Sequence, residues 1–291
     1  MLWIFLTILA ALLQSIRNAL QSKLSKELTT LSVTFSRFIF ALPVVATYLV
    51  FLYYFKPNEK PVFNFVFYIL GFSAACLQII ATALMVILFK QKNFAIGVGL
   101  AKSEALIAAI LGTLFFGSFL SFIGWIGVCI GAVAVFILAN IKLRNFDLTS
   151  AIIGLASGGC FALTSLFIRE ASLSLDISPL LSAAWSLAYV LSIQTLLFFF
   201  YIALKAKDTL TQIRERTLPI FFVSLSGATA SICWCTAFTL DYVAYVKTLG
   251  QIEIIFSLIL GIFFLKQTYQ RNTYTGLILT VIATILVILP H

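Results

Sequence analysis

The sequence predicts an all-α integral membrane protein of ten transmembrane helices, built as two inverted five-helix repeats (5+5). Three observations carry that prediction. The first is composition: 62% of the 291 residues are hydrophobic and 10% are charged, where soluble domains average roughly 45–50% and about 25%. A soluble fold needs more polar groups than this to meet water, and the mean hydropathy of +1.11 agrees. The second is length. A helix crossing the hydrocarbon core takes about 20 apolar residues, so the chain holds about ten spans joined by short turns and no separate soluble domain. The apolar runs far exceed the roughly ten-residue strands of a membrane barrel and lack their in–out alternation. The third is an internal repeat.

Polar and charged breaks place the spans at about 2–22, 31–55, 63–89, 94–116, 119–140, 149–168, 178–204, 218–239, 243–265 and 272–290. The first resembles the apolar part of a signal peptide, but no basic segment precedes it and it runs on to about Gln21, so it reads as a span. It closes at Lys23-Leu-Ser-Lys-Glu27, the second at Lys56-Pro-Asn-Glu-Lys-Pro61 and the third at Lys90-Gln-Lys-Asn93. The fourth and fifth divide at Gly117-Ser118, because one helix over 94–140 would be far too long. Lys142 and Arg144 mark the next turn, and Arg169 to Asp176 the one after it. The longest break runs from Lys205 to Thr217; Asp241 and Lys266 to Arg271 mark the last two turns.

Sliding the chain so that Glu104 falls on Glu253 also pairs Phe89 with Phe238, Ala95 with Ala244 and Leu100 with Leu249. The same register pairs Ile110-Leu-Gly112 with Ile259-Leu-Gly261, Phe115 with Phe264 and Gly127 with Gly276. Apolar matches come easily in such a sequence, but two intramembrane glutamates in register with two glycines do not. The chain thus divides into repeats over 1–140 and 149–290. Five spans is an odd number, so the second copy sits upside down, an arrangement that puts a substrate site near the midplane between the halves.

The segments Phe94-Ala-Ile-Gly-Val-Gly-Leu-Ala-Lys-Ser-Glu104 with Leu111-Gly-Thr-Leu-Phe-Phe-Gly117, and Ala244-Tyr-Val-Lys-Thr-Leu-Gly-Gln-Ile-Glu253 with Leu260-Gly-Ile-Phe-Phe-Leu-Lys266, carry a resemblance to a known family. In them, and in its ten-span layout, the whole chain resembles the EamA-type permeases of the drug/metabolite transporter superfamily. Ser118 and Gln267 stand where many such permeases have Glu, and Ala105 and Ile254 where many have a mid-span proline. The resemblance implies a multi-pass permease of a bacterial inner (cytoplasmic) membrane, with substrates that range from metabolites to drugs, moved in or out.

Charge then sorts by position. Lys23, Lys26, Lys90, Lys92, Lys142, Arg144, Lys205, Lys207, Arg214, Arg216, Lys266 and Arg271 fall in turns on one side; Lys56, Lys60 and Arg169 fall on the other. The positive-inside rule puts the first set in the cytoplasm and both termini outside. The net charge of +9 is therefore topological, not a nucleic-acid footprint. Six charges remain inside spans: Arg17, Arg37, Lys102, Glu104, Lys247 and Glu253. Each costs roughly 2.5–3.5 kcal/mol on insertion scales, a heavy load for a scaffold without a site. Glu104 and Glu253 lie near mid-span. Arg17 sits close enough to its span's end to snorkel, the alternative to a place at the site; Arg37 sits deeper. Lys102 and Glu104 are two apart, so on a regular helix they diverge and each needs a partner elsewhere. Lys247 and Gln251 share a helical face that is expected to line the cavity, and Gln251 is the repeat mate of Lys102. The glutamates serve either as structural partners of the lysines or as proton or substrate sites. Gln14, Asn18 and Trp234 are further candidates for the wall. Gly97, Gly99, Ala101, Ser103 and Gly250 permit close helix packing and could act as hinges.

Enzyme chemistry finds little support. The one histidine is His291, which leaves no His-based or zinc site, and no P-loop is present. Cys76, Cys129, Cys160, Cys233 and Cys235 all lie in apolar runs, as small buried residues do. No cofactor and no metal is expected. Together these features point to a secondary transporter working by alternating access. With four buried cations to two anions, the substrate reads as an amino acid or a similar carboxylate or zwitterion. The partners are that small molecule, the lipid bilayer and, through a glutamate, protons. A multidrug or amphipathic-compound exporter of the same fold is the alternative; a channel or an intramembrane enzyme fits less well.

Overall fold

A computed structural model of the chain describes residues 1–91, 101–138, 148–205, 208–266 and 273–288. Every regular element among them is a helix. The first half contains α1 (Leu2–Leu24), α2 (Thr30–Phe35), α3 (Ala41–Phe55), α4 (Phe65–Gln91), α5 (Glu104–Phe115) and α6 (Phe122–Leu138). The second contains α7 (Leu148–Leu173), α8 (Pro179–Lys205), α9 (Asp208–Glu215), α10 (Thr217–Leu240), α11 (Val243–Leu249), α12 (Glu253–Phe263) and α13 (Thr273–Ile288). Six helical stretches among the described residues are long and apolar enough to cross a membrane: Leu2–Leu24, Phe65–Lys90, Leu148–Leu173, Pro179–Ile202, Thr217–Leu240 and Val243–Phe263. Shorter apolar helices cover Ala41–Phe55, Glu104–Phe115, Phe122–Ala134 and Ile278–Val287. Large apolar side chains such as Leu114, Phe122, Phe199, Leu204 and Phe263 stand open on the outside. Water would not tolerate such a skin, whereas lipid does. The architecture is that of a multi-pass α-helical membrane protein.

Three long pairings organise the helices: α1 along α10, α4 along α7, and α6 along α13. Around them α5 packs on α7, α12 on α1, α3 on α8, and α5 on α11. Lipid supplies no hydrophobic drive for helix association, so small residues must let the backbones approach. Buried Ala10 on α1 shares a core cluster with Ala230 on α10, and Gly227 on α10 leaves room for the Arg17 stem of α1.

Three expected spans are not single helices. The region expected at 31–55 breaks after Phe35 and resumes at Ala41. Pro43 accounts for this, because its ring would strike the carbonyl of the residue four back and it has no N–H to offer. From α10, Ser224 Oγ donates to Ser36 O at 2.6 Å and accepts the Phe40 N–H at 3.1 Å, so the break's freed polar groups are met within the protein, as a membrane interior demands. The span expected at 243–265 runs as α11, a 3-10 turn over Gly250–Ile252, and α12. In the span expected at 94–116 a turn at Lys102 and Ser103 precedes α5; residues 94–100 lie outside the described residues. The long turn before α10 contains α9.

Turn residues tie the two halves together at both ends. Glu59 accepts Lys56 Nζ at 2.8 Å and the backbone N–H of Ser178, just before α8, at 2.9 Å. The Lys56 ammonium and that N–H hold the Glu59 carboxyl down at about 2. At the other end, Gln212 Oε1 on α9 accepts from Thr29 N and Ser32 Oγ at the start of α2 (3.2 and 2.7 Å), and Arg216 pairs with Glu27 at 2.8 Å.

Candidate functional site

The charged side chains buried among the described residues are Arg17, Arg37, Lys102, Glu104, Lys247 and Glu253, the same six that the sequence places inside spans. Both glutamates open a helix: Glu104 is the first residue of α5 and Glu253 the first of α12. Each carboxylate thereby stands at a helix N-terminus, whose partial positive charge favours an anion.

Four of the six form a continuous cluster. Lys102 Nζ lies 3.2 Å from Glu104 Oε1 and 2.6 Å from Glu253 Oε2. Lys247 Nζ lies 3.0 Å from Glu104 Oε2. Each half therefore lends its lysine to the other half's glutamate. On α1, Gln14 Nε2 donates to Glu253 Oε2 at 2.6 Å and Asn18 Nδ2 to Glu253 Oε1 at 2.7 Å. Trp234 Nε1 donates to Gln14 Oε1 at 2.9 Å, and its ring lies 4.9 Å from Lys247 Nζ and 5.9 Å from Lys102 Nζ, within cation–π range. That ring rests on Gly250, where a Cβ would stand 2.3 Å from Trp234 Cη2; only glycine admits the contact.

The two arginines sit beside this cluster. Arg17 donates from Nε and Nη2 to Asn18 Oδ1 at 3.1 and 2.6 Å, while its Nη1 is buried with no hydrogen-bond partner. At 1% exposure it does not snorkel. Arg37 donates from Nη1 to Thr82 Oγ1 on α4 at 2.8 Å.

A cavity of about 40 Å³ opens among these groups, walled by Gln14, Asn18, Arg37, Lys102, Glu104, Trp234, Lys247 and Glu253 together with Gln78, Ser165 and Ser231. At roughly 10–15 Å³ per water, that is room for a few waters or a small charged group.

Two sequence expectations need correction. Lys102 and Glu104 do pair directly, because the helix is interrupted at Lys102 and Ser103 and the regular 100° step that would separate them does not apply. Gln251 does not share the cavity with Lys247. It lies in the 3-10 turn, its amide is set against Gly131 of α6, and it makes no hydrogen bond among the described residues. A 3-10 turn rotates side chains differently from an α-helix, so the i, i+4 face is lost there. Gly97 and Gly99 lie outside the described residues, as do Lys92, Lys142, Arg144, Lys207, Arg271 and His291.

Gln78 and Thr82 on α4 were not anticipated. Gln78 lines the wall and accepts from Gln194 of α8 at 2.8 Å; Thr82 positions Arg37. Their i, i+4 spacing on an otherwise apolar helix was the available signal.

No protein-family model matches the chain, and no curated protein matches it. A solved structure described as "Crystal structure of protein" is similar to it, with a TM-score of 0.73 over 99% of this chain and 96% of that chain at 12% identity. That likeness speaks to the fold alone.

Proposed function

We propose that this chain is a secondary transporter of a small metabolite that carries a carboxylate, working by alternating access between two inverted five-helix repeats, as the EamA-type resemblance implies. The supporting observation is the cross-lent cluster: Lys102 with Glu253, and Lys247 with Glu104, around a cavity between the halves. The pairings fit a two-fold relation that exchanges the repeats. Under it α1–α10 maps onto α7–α4, α5–α7 maps onto α12–α1, and α6–α13 maps onto itself, and these are the pairs that pack. Glu104 and Glu253 are mates in the sequence repeat, and each begins a half-helix. Discontinuous helices that meet at a charged site between inverted repeats are how carriers hold a substrate where either side can reach it. A purely structural role would not call for six buried charges.

Flux tests the proposal. The purified chain in liposomes, loaded with a panel of amino acids and organic acids, should accelerate uptake of a labelled member, saturably and with stimulation by the same unlabelled compound inside. Flux that neither saturates nor responds to internal compound would mean a channel. No flux of any panel member would remove the reading.

A further inference from the structure

We infer that Arg17 and Arg37 form an anion-binding pair that takes a doubly negative group, a dicarboxylate or a phosphate monoester. This rests on the transporter reading for what becomes of the ligand, but not for its binding.

The reasoning starts from charge. Lys102, Glu104, Lys247 and Glu253 neutralise one another through contacts of 2.6–3.2 Å. Arg17 and Arg37 are left over, and neither has a salt bridge to a carboxylate among the described residues. They also lie side by side. Both stems pass Gly227 on α10, where a Cβ would stand 3.1 Å from Arg17 Cδ and 3.6 Å from Arg37 Cγ. A guanidinium cannot shed its proton to escape burial. The nearby carboxylates Glu104 and Glu253 are already engaged by the lysines, so two adjacent buried cations remain in excess, which is costly because water screens them little there.

Protein partners do not use up their donors. Of five N–H donors on a guanidinium, Arg37 spends one, Nη1, on Thr82, and its side chain forms part of the cavity wall at 5% exposure. Arg17 stands behind that wall, beside Arg37 at Gly227, with its Nη1 buried and without a partner. The planar fork of a guanidinium matches the paired oxygens of a carboxylate or phosphate. A zwitterion would leave both surplus charges in place and a monoanion one of them, whereas a dianion cancels both. The inference therefore narrows the carboxylate class to its doubly charged members, with phosphate monoesters as the rival source of the same charge.

Calorimetric titration of the full chain in detergent tests it with succinate, monomethyl succinate, methyl phosphate and alanine. Succinate or methyl phosphate should bind at least about tenfold tighter than monomethyl succinate, and whichever of the two binds tighter identifies the source. Arg37→Gln and Arg17→Gln should each abolish the preference, while Arg37→Lys keeps part of it. Removing an uncompensated charge should leave the melting temperature of Arg37→Gln unchanged or raised, so lost binding will not be lost folding. Equal binding of succinate and its monomethyl ester, a preference intact in Arg37→Gln, or no binding of either dianion would overturn the inference. Dianion binding without flux of any compound would instead sink the transporter reading and leave the site standing. Alanine counterflow with no dianion binding would do the reverse.

Discussion

Glu104 holds two ammonium groups at once, at 3.2 and 3.0 Å, so its charge is the one the cluster can least lose. Without it Lys102 still has Glu253 in direct contact, but Lys247 loses its direct carboxylate partner among the described residues and keeps the rings of Trp234 and Phe238 and a more distant Glu253. A buried pair that loses one partner costs about 3–5 kcal/mol, although the intact pair itself contributes little. Glu104→Gln should therefore lower thermal stability in micelles by an amount in that range. Adding Lys247→Met, which keeps the apolar stem, should recover most of it. A double variant no more stable than the single would show that the two residues are not coupled. The individual charges were legible in the sequence because an ionised residue inside an apolar run is conspicuous. Their partners were not, because partner choice depends on where the helices break.

Those breaks govern the site at the next scale up. A continuous helix through residues 243–263 would not set Glu253 at an N-terminus, and the 3-10 turn at Gly250–Ile252 does so. Glycine there serves twice: it weakens the helix by about 1 kcal/mol relative to alanine, and it leaves the space that Trp234 fills. Gly250→Ala should push the ring off its seat, weaken the Trp234–Gln14 hydrogen bond, and cost about 1–3 kcal/mol, as overpacking does. Differential scanning fluorimetry would report the loss. Adding Trp234→Phe, which trims the ring where it meets Gly250, should restore at least half of it; no recovery would place the damage in the backbone turn. The long apolar segments were readable from sequence because hydrophobic length alone defines a span. The interruptions at Ser36 to Phe40 and at Gly250–Ile252 escaped, because Ser36, Arg37 and Gln251 are too few to end the long apolar runs around them and only Pro43 and Gly250 mark the change in the backbone.

For the whole molecule, the cavity lies between two ties on opposite faces. Span two separates Glu27 and Thr29 from Glu59, and α8 separates Ser178 from Gln212, so the Glu59 tie and the Arg216–Glu27 and Gln212 tie stand at opposite ends of the helices. Each tie joins the first half to the second. On the alternating-access proposal, one must open while the other holds. The Glu59 tie is not an acid switch near neutrality. Its carboxyl, held at about 2 against an ordinary 4.5, contributes stability in full above 4.5 and loses it only as pH falls toward 2. Opening must then come from substrate or from mutation. Cys235, at 3% exposure in the cavity wall, is a built-in reporter once Cys76, Cys129, Cys160 and Cys233 are replaced by alanine. In that background Glu59→Gln should speed labelling of Cys235 by a membrane-impermeant thiol reagent added on the Glu59 side, by several-fold at neutral pH, and slow it from the opposite side. Glu27→Gln combined with Gln212→Ala should show the mirror pattern. If both variants raised labelling from both sides, the ties would be ordinary packing contacts and the two halves would not move as alternating gates. If neither changed labelling from either side, the cavity would open by a route that bypasses them.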